Sequence, residues 1–108
     1  MIQETISSNN APVAVGPYSP AVRAGDFIYI SGQLPIDPTT GQLVSDDIRI
    51  QTEQVLKNIE ALLAEAGLNM SYVLKTTVFV KNMEEFAAMN EVYSRFFQKP
   101  FPARSAVA

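Results

Sequence analysis

Arg104 is the side chain in this chain best suited to hold a ligand. It follows Phe101-Pro102 within a terminal strand-like pattern, and its neighbours on the same strand face are Ala106 and Ala108. A guanidinium beside small side chains suits a carboxylate, because its planar donor fork matches two oxygens. The plainer readings are a surface arginine or an ion pair between subunits. Asn90 lies on the apolar stripe of a helical pattern, between Phe86, Tyr93 and Phe97. A buried amide must be hydrogen-bonded, so it either ties down a neighbouring loop or reaches a ligand. Tyr18, within Gly16-Pro17-Tyr18-Ser19-Pro20, either offers its hydroxyl to a ligand or water, or packs to anchor that loop. Ser31-Gly32 ends a strand pattern. It is either a plain turn or a place where the backbone can approach a ligand, because Gly32 has no side chain. Glu84 and Glu85 look like a carboxylate pair, but they fall in a first helical turn, where capping and the helix dipole explain them. Met83 and Met89 read as core filler.

The missing residue types narrow the chemistry. The 108 residues include no cysteine and no histidine. There is thus no thiol nucleophile, disulfide or thiolate metal site, and no Ser-His-Asp triad or ordinary zinc centre. Acid–base work falls to carboxylates, Lys, Tyr or water. The glycines at 16, 25, 32, 41 and 67 are never closer than seven residues, which excludes both the dinucleotide fingerprint and the phosphate-binding P-loop. Eight basic against eleven acidic residues give a net charge of −3, a poor footprint for nucleic acid or an anionic membrane. The polar first ten residues contain Glu4 and do not read as a signal peptide. No apolar run approaches the ~20 residues of a membrane span. The expectation is a cytoplasmic protein of one domain, without nucleic-acid or membrane partners.

These candidate residues must be positioned by a small set of elements. Ile2 to Ile6 alternates weakly, as an edge strand does. Residues 9–20 carry three prolines and read as an ordered loop. Ala21–Arg23 and Phe27–Ser31 flank Ala24-Gly25-Asp26, a hairpin with Gly25 in the turn. After a second loop, Gly32–Gln42, comes the clearest helix, with Ser45 or Asp47 as its cap. Its apolar stripe is Ile48, Val55, Ile59, Leu62, Leu63 and Ala66, and Gly67 ends it. Val73–Val80 is a β-branched strand. Asn82 then starts a second helix, with Glu85 as its capping-box partner and Phe86, Met89, Tyr93, Phe96 and Phe97 as its apolar face. Ala103–Ala108 is a final strand.

Strands with two helices predict a two-layer α+β domain, both helices on one face of the sheet. Both faces of the strands are apolar, however. Ile28 and Ile30 oppose Phe27 and Tyr29, and Leu74, Val78 and Val80 oppose Val73 and Phe79. An uncovered apolar face marks an interaction surface, so the second face is expected to pack against other copies of the chain.

Five segments occur in a telling order: Gly16-Pro17-Tyr18-Ser19, Ile30-Ser31-Gly32-Gln33, Lys75-Thr76-Thr77-Val78-Phe79-Val80, Met89-Asn90-Glu91-Val92-Tyr93 and Pro102-Ala103-Arg104-Ser105. Together, over essentially the whole chain, they resemble the reactive intermediate deaminase (Rid, YjgF-type) family, in its RidA branch. The resemblance implies a chorismate-mutase-like (ferredoxin-like) fold assembled as a homotrimer, with clefts between subunits and no cofactor. It implies hydrolysis of 2-imino acids such as 2-iminobutanoate and 2-iminopropanoate to 2-keto acids and ammonia. Arg104 resembles the family's carboxylate-binding arginine, and Tyr18, Ser31, Gly32 and Asn90 match its other cleft residues. Many members carry Cys or Thr where this chain has Ala106, which leaves only the backbone there to act. The family pattern also runs on past Ala108, through another strand and a glutamate that activates water. The expectation is therefore a single domain over 1–108 that lacks that strand. Three other functions compete: a non-catalytic small-carboxylate-binding or regulatory protein, an endoribonuclease or translation inhibitor, and an aromatic-pathway mutase of the same fold.

Overall fold

Asp47 opens the longest element. Its backbone is extended (φ −77°, ψ 124°) and its carboxylate accepts the Arg49 N–H at 2.8 Å. That bond satisfies one of the donors a helix leaves unpaired at its start. Ser45, the other cap the sequence offers, supports Asp47 from behind: its Oγ accepts the Asp47 N–H at 2.9 Å. The computed structural model, which describes residues 3–108, runs this helix, α1, over Ile48–Glu65. It ends where Gly67 takes φ 76°, with the Leu68 N–H donating to the Leu63 carbonyl at 2.8 Å and the Gly67 N–H to Ala64 at 3.0 Å. This is a Schellman stop, which needs the left-handed conformation glycine enters without strain. Asp47→Ala is expected to lower the unfolding free energy by about 1 kcal/mol. A urea titration checks this, and an unchanged midpoint would show that the cap contributes nothing.

Strands β1 (Gln3–Ile6), β2 (Ala21–Ala24) and β3 (Phe27–Ile30) form an antiparallel sheet in that order. Ile2, at the start of the expected edge strand, lies outside the described residues. The β2–β3 turn places Gly25 at φ 61°, as the hairpin reading requires. Strands β4 (Lys75–Phe79) and β5 (Ala103–Val107) pair in parallel, Thr76 opposite Arg104 and Val78 opposite Ala106. The connection between them carries helix α2 (Phe86–Phe96). A single 3₁₀ turn, Met83–Glu85, leads into α2, and Asn82 Oδ1 caps it by accepting the Glu84 N–H at 2.9 Å. The return bond expected from the Glu85 side chain is absent among the described residues.

The two helices pack on each other and on the inner sides of the strands. Leu56, Leu63, Met70, Val80, Met89, Tyr93 and Phe97 form the core, with Ile30 and Val78 packed against it. Leu56, absent from the expected stripe of α1, is buried, and so are the polar Thr52 and Asn58. The outer sides of the strands stay apolar and open: Phe27, Tyr29, Phe79 and Val107 are 57%, 62%, 78% and 45% exposed. The two-faced character expected of the strands is therefore real. The strand expected over Val73–Val80 is shorter, because a 3₁₀ turn at Met70–Tyr72 precedes it. Val73 consequently packs on the core, while Leu74 is 70% exposed, the reverse of simple alternation. Among the described residues no helix is long and apolar enough to cross a membrane.

Candidate functional site

Arg104 lies on β5, and alternation turns it and Ala106 to the side where α2 packs. Its Nη1 donates to Asn90 Oδ1 at 2.6 Å. The guanidinium carbon sits 4.8 Å from the Tyr93 ring centroid and 5.2 Å from that of Phe86, close enough for cation–π attraction to both. Phe86, Asn90 and Tyr93 are spaced by four and three residues, so one stripe of α2 supplies all three supports. Arginine has no acceptor, so the amide must turn its oxygen toward Arg104 and keep its Nδ2 hydrogens as donors. Nδ2 has no acceptor among the described residues. Among the described residues the arginine's Nε and second amino group donate to no protein oxygen either. The site thus gathers donors without protein acceptors among the described residues around a fixed positive charge, which suits a small carboxylate.

No carboxylate of the described residues neutralises this charge. The nearest in sequence, Glu91, is held instead by Arg49 at 3.1 Å and Arg95 at 3.2 Å. Among the described residues Asn90 bonds to no loop, the tie that one of its two expected roles required; its oxygen is bonded to Arg104 instead. The loop-tying amide is Asn58, which is 0% exposed. Its Nδ2 donates to the carbonyls of Leu34 at 3.2 Å and Ile36 at 3.1 Å, and its Oδ1 accepts from Gln54 Nε2 at 2.8 Å. Its place between Val55 and Leu62 on the helix stripe is a signal that a stripe of apolar residues alone passes over. Farther along the same loop, the hydroxyl and N–H of Thr39 hold the Asp37 carboxyl below the usual carboxylate range.

A second group forms at the end of β3. Ser31 Oγ donates to the Ser19 carbonyl at 2.6 Å, and the Ser31 N–H donates to Pro20 at 3.0 Å. These bonds pin the loop carrying Tyr18 to the strand end. Tyr18 is half-exposed, and with Pro17, Ser19, Tyr29 and Ser31 it lines an open hollow of about 410 Å³. A Cβ built on Gly32 meets nothing within 4 Å, so the backbone there is approachable from outside. Ser31-Gly32 is irregular backbone and not a turn, and that backbone is open to solvent.

The two groups do not meet within one chain. Tyr29 and Val22 line the hollow on the sheet side away from the helices, while Arg104 is on the helix side of β5. No hydrogen bond joins them among the described residues, and neither Arg104 nor Asn90 lines the hollow. Ala106 is half-buried in the β5 ladder opposite Val78. One copy of the chain therefore presents two separate groups: a donor cluster at Arg104 and Asn90, and a hydroxyl-bearing loop at Tyr18 and Ser31.

Comparison with known proteins bears on what these two groups do. The family described as Endoribonuclease L-PSP matches residues 8–108. A RutC family protein of Pyrococcus horikoshii is 52% identical over 106 residues, covering 98% of this chain and 84% of that protein. The chloroplastic Reactive Intermediate Deaminase A of Arabidopsis thaliana is 43% identical over 103 residues, 95% of this chain and 55% of that protein. The crystal structure of E. coli TdcF with bound serine superimposes with a TM-score of 0.91 at 38% identity, covering 96% of this chain and 84% of that one.

Proposed function

The chain belongs to the Endoribonuclease L-PSP family, also called YjgF/Rid, and from that premise we propose that it hydrolyses 2-imino acids to 2-keto acids and ammonia. The observation that carries this reading is Arg104, a guanidinium that no carboxylate of the described residues neutralises and that is bonded to the Asn90 amide. The substrates are small, with 2-iminobutanoate and 2-iminopropanoate as the first to try. A relative with bound serine supports a compact 2-amino or 2-imino acid as the ligand class.

The chemistry needs little from the protein. An imine carbon is already electrophilic, so water adds to C2 to give a carbinolamine, and loss of ammonia leaves the ketone. Arg104 and Asn90 hold the carboxylate and fix the position of C2, which raises the effective concentration of water against it. Tyr18 orients that water. The backbone at Gly32 and Ala106 donates to the nitrogen or oxygen that gathers charge at the tetrahedral stage. Neither histidine nor cysteine is required.

The complete site forms between copies, the Arg104 half of one meeting the Tyr18 half of another. The open apolar side formed by Phe27, Tyr29, Phe79 and Val107 is the surface through which copies join as a trimer. Two measurements test the reading. Ammonia release from freshly generated 2-iminobutanoate should exceed the uncatalysed rate; tight binding of 2-oxobutanoate without acceleration would instead establish a non-catalytic carboxylate binder. Arg104→Ala and Tyr18→Ala proteins, each inactive alone, should regain activity when unfolded and refolded together. A monodisperse monomer in sedimentation, or mixed trimers without recovered activity, would overturn the shared site.

A further inference from the structure

We propose that Tyr93 and Thr76 are positioning residues that hold the Arg104 guanidinium ready before a ligand arrives. This rests on the carboxylate-binding role given to Arg104 above. The Tyr93 ring is buried, only 7% exposed, and lies beneath the guanidinium at 4.8 Å. Its hydroxyl pairs with Thr76 Oγ1 at 2.7 Å, and among the described residues it has no other partner. Thr76 is the residue opposite Arg104 in the β4–β5 ladder. The contacts therefore close a ring: Arg104 to Thr76 through the ladder, Thr76 to Tyr93 through the hydroxyl pair, and Tyr93 back to Arg104 through its face.

Core packing does not require this polar pair. A phenylalanine fills the space of the tyrosine, and valine that of threonine. Exchanging both partners of a buried hydrogen bond for apolar groups of like shape leaves stability nearly unchanged. What the hydroxyls add is a fixed setting of the ring on which Arg104 rests. Arginine has much rotamer freedom to lose. Arg104 is itself exposed, so without such a rest it would lose that freedom only on binding. Phe86 and Asn90 hold the guanidinium from the same stripe of α2, but among the described residues neither bonds to β4, the strand paired with the one that carries it.

The test compares wild type with Tyr93→Phe, Thr76→Val and the double variant. Each single variant should weaken 2-oxobutanoate binding by roughly two- to tenfold in calorimetry, the range spanned by one ordinary hydrogen bond. The double variant should be no worse than either single one, because both remove the same link. KM for 2-iminobutanoate should rise in step while kcat holds, and the double variant should melt within a few degrees of wild type. A folded double variant with wild-type affinity would overturn the proposal. A second readout is independent of any activity: the Arg104 Nε–H signal in side-chain NMR should be ordered in wild type and lose order in the variants. If wild type neither binds nor hydrolyses these acids yet Arg104 loses order in the variants, the imine reading fails and the positioning role stands. If wild type is active and the Arg104 signal is the same in all four proteins, the positioning role fails alone.

Discussion

Arg104→Ala is expected to lower kcat/KM for 2-iminobutanoate by about a hundredfold or more. Removing one partner of a hydrogen-bonded charge pair costs about 2–5 kcal/mol, and each 1.4 kcal/mol is roughly tenfold. Arg104→Lys should restore little of the loss, because an ammonium has neither the planar fork nor the preference for stacking on Phe86 and Tyr93. Stability should barely change, since an exposed cation–π contact contributes only about 0.5–1 kcal/mol. Steady-state rates measured beside a melting curve check both halves. Equal rates for wild type and Arg104→Ala would remove the carboxylate grip from the mechanism.

The largest effect on stability is expected at Asn58. In Asn58→Leu the side-chain volume is roughly kept, but the carbonyls of Leu34 and Ile36 lose their donor and Gln54 loses its acceptor. Each unsatisfied group costs about 1–3 kcal/mol, less where water can reach it, so a total of roughly 2–4 kcal/mol is expected. That is a large share of the ~5–15 kcal/mol that holds a small domain folded. Asn58→Asp tests the cause. Its carboxylate would face two carbonyl oxygens, which raises its folded pKa above the unfolded value of about 3.9. The neutral form is then favoured in the folded state. The sign follows: the Asn58→Asp protein is closest to wild type in acid and loses ground as the pH rises through the raised value. Urea midpoints measured across pH against wild type would show this, and a pH-independent difference would assign the loss to packing alone.

Much of the fold was legible because it follows from local rules. Gly25 in its turn, Asp47 before Ile48, Gly67 at the helix stop and Asn82 at the next cap each depend on neighbours a few residues away. The two-faced strands were legible too, since Phe27 against Ile28 needs only a period of two. Asn58 and Thr52 were not, because a stripe defined by apolar residues passes over polar ones whose partners lie on a distant loop or the preceding turn. Asn90 was legible as an amide on an apolar face, yet its partner was not. Which strand lies across from α2 is a long-range fact, and Arg104 is fourteen residues farther along the chain. The parting of Tyr18 from Arg104 onto opposite sides was likewise invisible in the order of the motifs.

The parallel pairing of β4 with β5 has a consequence for how such a protein changes over time. Thr76, Phe86, Asn90, Tyr93 and Arg104 all belong to one strand–helix–strand passage, while Tyr18, Ser31 and Gly32 belong to the N-terminal hairpin and its loops. On the proposed reading, the grip on the acid group and the handling of water at C2 are thus written in separate stretches. Drift in the first third of the sequence would then alter how water is placed while the anion grip is inherited whole.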